Sequence, residues 1–125
     1  MTDRAGDRAE IADVLATYCH RCDDREFEAL VDCFTDDATF VFERWRMVGR
    51  DRLRRWFERN QSPGKHITAN SVIEVNGDLA TATSDYIFVA KGDGHLIVTM
   101  AGRYVDELRR VDGKWRIRER VATPM

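Results

Sequence analysis

HITANSVIEV-NG-DLATATSDYIFVA, residues 66–90, is the stretch on which the fold turns. Its two halves are rich in β-branched and aromatic residues and alternate with a period of two, as strands do. Asn76-Gly77 between them is a strong hairpin signal, because both central residues of such a turn take positive φ. The spacing predicts one strand from His66 to Val75 and a returning strand from Leu79 to Ala90. Downstream, Gly92-Asp93-Gly94 turns the chain into His95 to Leu108, and Asp112-Gly113 turns it into a last strand, Lys114 to Val121. The second half is therefore a four-strand antiparallel meander.

Upstream of residue 66 the period is helical. Ile11, Val14, Leu15 and Tyr18 form one apolar stripe and predict a helix over 6–20. Phe27, Leu30, Val31 and Phe34 predict a second from Glu26 to Phe34, with Asp24 as its N-cap. Ala38 to Phe42 reads as an early strand that completes the sheet. After the Gly49 break, Asp51 to Arg59 makes a third helix with Leu53, Trp56 and Phe57 inward. Helices segregated from strands mean an α+β fold, here a single domain over residues 1–125. Small residues at Ala80, Ala82, Ala90, Ala101 and Gly102 let the strands bend strongly. Three short helices cannot fill the concave face of such a sheet, so a cone-shaped cavity remains for a small molecule. Phe40, Phe42, Trp45, Trp56, Phe57, Tyr86, Phe88 and Tyr104 are its candidate lining, and each would serve equally as ordinary core.

Composition narrows the function classes. The chain is 43% hydrophobic and 34% charged, with 20 basic and 22 acidic side chains and a net charge of -2, which gives no general attraction to nucleic acid. Arg50, Arg52, Arg54, Arg55 and Arg59 cluster on the third helix and read as a solvated face rather than a polyanion site. No run approaches the roughly 18 apolar residues of a membrane span. The charged, helix-periodic start is no signal peptide, so a reduced, cytoplasmic setting is expected for Cys19, Cys22 and Cys33. Cys19 and Cys22 form a C-x-x-C, but it ends a helix and lacks a second ligand pair, so buried thiols are expected rather than metal or redox chemistry. A dinucleotide fingerprint, a P-loop, a zincin motif and a nucleophile elbow are all missing, so an enzyme here is expected to need no cofactor and no metal.

The order of motifs resembles the SnoaL-like branch of the nuclear-transport-factor-2-like superfamily. The resemblance is carried by Tyr18-Cys19-His20-Arg21-Cys22-Asp23-Asp24-Arg25-Glu26-Phe27 and by Cys33-Phe34-Thr35-Asp36-Asp37-Ala38. Gly49-Arg50-Asp51, His66-Ile67-Thr68-Ala69-Asn70 and Val75-Asn76-Gly77-Asp78-Leu79-Ala80 extend it. Gly102-Arg103-Tyr104, then Asp112-Gly113-Lys114-Trp115-Arg116-Ile117 and Arg120, close it. The resemblance implies a cone-shaped fold, with three N-terminal helices packed on the concave face of a strongly curved antiparallel sheet. It also implies kinship with scytalone-dehydratase-like and bile-acid-dehydratase-like lyases, isomerases and polyketide cyclases, and a homodimer or homotrimer.

Within that likeness, Tyr18 and Asp23 match the Tyr and Asp of the dehydratase-like opening, and His66 the histidine that starts the long hairpin. His66 is the candidate general base or acid, Asp23 its orienting carboxylate and Tyr18 the donor to a substrate oxygen. Each has a plainer reading: Asp23 as a helix cap, Tyr18 as core, His66 as a solvent-facing strand end. Asp85 is a rival partner. A strict Asn76-Gly77 turn puts His66 opposite Ile87 with Asp85 as its diagonal neighbour, but moves Tyr86 and Phe88 to the other face. A bulge, two half-buried faces, or a His66 outside the pocket would each resolve this. Arg118 and Arg120 on the last strand are candidate contacts for a substrate carboxylate, or, alternating with Arg116, part of a solvated outer face. Two functions remain open. One is a cofactor-independent, dehydratase-like lyase or isomerase for a hydrophobic cyclic, aromatic or steroid-like compound. The other is a non-catalytic binding or assembly module, like the β subunit of ring-hydroxylating dioxygenases.

Overall fold

The structure, a computed structural model, describes residues 3–125. In chain order it contains α1 (Arg4–Asp23), α2 (Phe27–Val31), β1 (Phe34–Phe42), β2 (Trp45–Val48), α3 (Arg50–Asn60), β3 (Lys65–Asn76), β4 (Leu79–Lys91), β5 (Leu96–Val111) and β6 (Lys114–Pro124). The strands form one sheet in the order β2-β1-β6-β5-β4-β3. The expected α+β architecture is present, with α1 packed on β3 and β6 and α3 on β1. Two details are corrected. The sheet is mixed rather than antiparallel, because β1 runs parallel to β6. β1 also hairpins into a short β2 that the sequence did not announce, so α3 lies between strands. A parallel pair between distant parts of the chain has no turn to mark it.

Local chemistry explains the boundaries. The Asp3 carboxylate accepts the Gly6 N–H at 2.9 Å and caps α1. The N-cap of α2 is Glu26 rather than Asp24, and it makes no side-chain cap hydrogen bond. Asp112 and Gly113 both take positive φ, the type I′ geometry their sequence predicts. The Asn76-Gly77 expectation fails by one residue: Asn76 pairs with Leu79, and the two-residue loop is Gly77-Asp78. Glycine at the first central position suits a type II′ turn. Arg110 of β5 holds it there, donating from Nε to Asp78 Oδ1 at 2.9 Å and from Nη2 to the Gly77 carbonyl at 3.3 Å.

A second irregularity decides the pocket. Near the turn, Val75 lies opposite Ala80 and Ile73 opposite Ala82; beyond a register shift between Ala69 and Val72, Thr68 lies opposite Tyr86 and His66 opposite Phe88. Asn70 sits in the bulge at φ 56°, a left-handed conformation that asparagine tolerates better than most side chains. One extra residue reverses the alternation. Odd-numbered β3 residues face the core near the turn, and even-numbered ones face it near His66. The strict register, with His66 opposite Ile87, is thereby corrected.

The same device recurs on β6. Leu108 pairs with Ile117 but Glu107 with Glu119, which leaves Arg118 as the extra residue. Trp115 and Ile117 point inward before the shift, and Arg120 and Ala122 after it. Arg120 therefore lies opposite Asp106, and both side chains are fully buried. Arg120 donates from Nε to Asp106 Oδ1 at 2.7 Å and from Nη2 to Oδ2 at 2.9 Å. Its Nη1 has no hydrogen-bond partner among the described residues. Instead the guanidinium lies 3.7 Å from the Tyr104 ring centroid and 4.4 Å from that of Tyr18. Burial disfavours the cation, but the Asp106 charge and hydrogen bonds outweigh it and hold the Arg120 pKa above its ordinary value.

Removing one partner of such a pair leaves an uncompensated buried charge. Asp106→Ala is expected to cost roughly 3–5 kcal/mol by urea denaturation. Asp106→Leu combined with Arg120→Met should recover much of that loss, since the demand for a counter-charge disappears.

Candidate functional site

Tyr18 occupies the next-to-last turn of α1, and its ring is almost wholly buried. It meets Phe34, Phe57, His66 and Tyr104 edge-on, at centroid distances of 5.9 to 6.2 Å. Asp23 is the last residue of α1, where the helix reaches the start of β3. Both of its carboxylate oxygens accept the His66 backbone N–H, at 3.0 and 3.1 Å. Oδ1 also meets His66 Nδ1 at 2.6 Å, and both side chains are about nine-tenths buried. The helix-cap reading of Asp23 is therefore replaced by an anchor between helix and sheet.

That contact fixes the ring. An ionised carboxylate can only accept, so a neutral ring held by it carries its proton on Nδ1 and keeps the Nε2 lone pair. Nε2 has no hydrogen-bond partner among the described residues, and neither has the Tyr18 hydroxyl. His66 and Tyr18 both line a cavity of about 450 Å³, within the usual range for small-molecule sites. Its walls are largely aromatic: Phe40, Phe42, Trp56, Phe88, and Tyr86 stacked on Tyr104 at 4.2 Å. Gly102 is required beside that stack, because a Cβ there would sit 2.7 Å from the Tyr86 hydroxyl and 2.5 Å from the Thr123 carbonyl oxygen.

Burial holds the Tyr18 and Tyr104 phenols well above the ordinary tyrosine pKa, although the Arg120 charge beneath them acts in the opposite direction. Both hydroxyls stay protonated as hydrogen-bond donors. The set comprises one acceptor nitrogen braced by a carboxylate and one phenolic donor, facing a common apolar space. It can move a proton and polarise an oxygen.

Not every residue singled out in the sequence joins this cavity. Phe57 is fully buried behind it, against Tyr18 and Phe40. Trp45 is 53% exposed on β2 and lines a neighbouring cleft. Arg118 faces away, toward Asp37 at 3.5 Å. Asp85 lies opposite Ala69 on the outer face of the sheet, held by Arg103 Nε at 2.9 Å and Asn70 Nδ2 at 3.1 Å. Asp85 is thus corrected as a partner of His66 or a substrate contact: the bulge that turns His66 inward leaves it outside. Sequence reading missed the polar rim of Asn60, Gln61 and Ser62, and also Thr99 and Met100. Arg120, read with Arg118 as a substrate-carboxylate contact or part of a solvated outer face, is neither: the bulge turns it into the core against Asp106. Cys19, Cys22 and Cys33 are buried and unpaired, and burial pushes all three thiols up.

Comparison with known proteins adds a family. The profile of the SnoaL-like domain matches residues 3–121. Uncharacterized protein Rv2910c of Mycobacterium tuberculosis H37Rv is 31% identical over 126 residues, covering 94% of this chain and 84% of that protein. Rv3472, a protein of unknown function from the same species, superimposes with a TM-score of 0.90 at 30% identity, over 95% of this chain and 72% of that one. A candidate scytalone dehydratase from Novosphingobium aromaticivorans gives 0.84 at 20% identity, over 97% and 85% of the two chains, a likeness of fold alone.

The Asp23 contact makes a spectroscopic prediction. Long-range ¹H–¹⁵N correlation should find the neutral His66 ring protonated at Nδ1 in the native protein. Asp23→Asn can offer an N–H to Nδ1 instead, and should move the population toward the Nε2-protonated tautomer. A second outcome concerns the stack: Gly102→Ala should destabilise the fold by roughly 1–3 kcal/mol through overpacking, read by urea denaturation.

Proposed function

The chain belongs to the SnoaL-like domain family, and we propose that it is a cofactor-independent lyase of the dehydratase type, or an isomerase, acting on a hydrophobic cyclic compound. The observation that carries this reading is the 2.6 Å contact from Asp23 to His66 Nδ1, which leaves Nε2 free beside the Tyr18 phenol. In an elimination, Nε2 takes a proton from the carbon next to a hydroxyl-bearing carbon. The C–H electron pair becomes the new double bond, and the hydroxyl leaves with a hydrogen bond from Tyr18. The proton then held by His66 converts that hydroxide to water. In an isomerisation the oxygen is a carbonyl, Tyr18 stabilises the enolate, and His66 returns the proton at another carbon. Asp23 keeps the ring oriented throughout and faces the cation that forms on it. Aromatic walls suit an aromatic, alicyclic or steroid-like ring.

The exposed face of the sheet supports a second part of the reading, a homodimer or homotrimer. Val72, Leu79, Leu96, Val98 and Val105 are all about half exposed or more. Such apolar surface favours burial against another copy. Three unpaired thiols suit a reducing compartment. No helix among the described residues is long and apolar enough to cross a membrane.

The test is a thermal-shift screen against hydroxylated aromatics, steroids and polyketides, followed by mass spectrometry of the bound compounds. A ligand at about a hundred times its Kd stabilises the protein by roughly 2.7 kcal/mol, which is readily seen. Turnover should appear as loss of water or an isomeric product. His66→Ala should keep the ligand but lower the rate by roughly 10²–10⁴-fold. Equal binding by both proteins with every compound returned unchanged would overturn the catalytic reading in favour of a carrier.

A further inference from the structure

The arginines of α3 fall into two groups. Arg50 and Arg54 have carboxylate partners, Asp36 at 2.7 Å and Glu58 at 3.0 Å. Arg52, Arg55 and Arg59 have none among the described residues; the Arg55 Nε reaches only the Asp51 carbonyl of its own helix. These three stand at i, i+3 and i+7 and share one helix face with Trp56. That face borders a cleft of about 490 Å³ between α3 and the β1–β2 hairpin. The facing wall is apolar, formed by Phe42, Trp45 and Met47, and Asn60 completes the lining.

Composition does not force this arrangement. Acidic side chains outnumber basic ones by 22 to 20 in the whole chain, yet among the described residues none is paired with these three guanidiniums. Like charges three and four residues apart on a helix repel, and Arg55–Arg59 and Arg52–Arg55 have those spacings. An anion in the cleft would relieve that repulsion, and guanidiniums suit oxyanions geometrically. The cleft also adjoins the acid–base cavity, because Phe42, Trp56 and Asn60 line both. A molecule that reached from one space into the other would pass along the Trp56 ring, whose centroid stands 5.7 Å from that of Phe42.

We propose that this cleft is an anion subsite, and that the ring compound carries a carboxylate, sulfonate or phosphoryl group seated among Arg52, Arg55 and Arg59. This rests on the preceding reading that a ring enters the cavity, and adds the chemical class of the ligand. The solvated-face reading of the basic helix then holds only for its paired arginines.

Two fluorescent probes separate the inferences: 8-anilinonaphthalene-1-sulfonate and its uncharged analogue N-phenyl-1-naphthylamine. The protein should bind the sulfonate at least about tenfold more tightly at low salt, and that preference should shrink as salt screens it. A triple variant, Arg52→Gln, Arg55→Gln and Arg59→Gln, should lose the preference while binding the neutral probe unchanged, which also reports an intact fold. Arg54→Gln on the same helix should leave the preference as it was. If the neutral probe binds and the sulfonate gains nothing, or if the triple variant keeps the preference, the anion subsite falls and the cavity reading stands. If neither probe binds the native protein, both fall together.

Discussion

A strand sends successive side chains to opposite faces, and the pocket depends on two places where that rule is interrupted. Without the extra residue near Asn70, a β3 strand that buries Ile73 and Val75 would turn His66 to the outer face with Asp85. Without the extra residue at Arg118, a β6 strand that buries Trp115 and Ile117 would expose Arg120. Each interruption lets one strand contribute hydrocarbon at one end and a polar group at the other, on the same face. The sheet thus has a half lined by hydrocarbon and a half that carries the candidate chemistry, and α1 spans both, meeting Trp115 through Asp7 and His66 through Asp23.

The polar half is arranged in depth. At the bottom lies the Arg120–Asp106 pair, sealed from water. Above it the Tyr104 and Tyr18 rings lie against the guanidinium, and both residues line the cavity. At the side, the end of α1 delivers Asp23 to His66. A charge fixed beneath two aromatic rings is an unusual use of a core position, since an apolar pair of similar volume is often as stable. Here its charge works against the burial that raises the pKa of both phenols.

The legible part of this molecule was local. The helical stripe of Ile11, Leu15 and Tyr18, the alternating runs on either side of residue 77, and the Asp112-Gly113 turn could all be read from a few neighbouring residues. The partnership of Asp23 with His66 was legible only through the order of motifs, since 43 residues separate the two. What escaped was of two kinds. The parallel pairing of β1 with β6 joins distant segments and leaves no mark in either. The bulges are single residues inside otherwise regular strands, and Asn70 takes positive φ where Asn60 and Asn76 do not, a difference the residue type alone does not announce. The burial of Arg120 escaped by the same cause: beside Arg116 and Arg118 it reads as part of a solvent-facing stripe or as a ligand contact, not as a core partner of Asp106.

The bulge on β3 also bears on how such a site is inherited. It is one residue long, so a single codon separates a strand that offers its histidine to the cavity from one that offers it to solvent. In-frame loss of that codon would exchange Thr68 and His66 for Ile67 in the wall without altering any other side chain. A lineage could then withdraw the histidine from the cavity by one deletion, with no substitution anywhere along the strand. Descent in this fold is therefore better traced through the gaps in an alignment than through its matched letters.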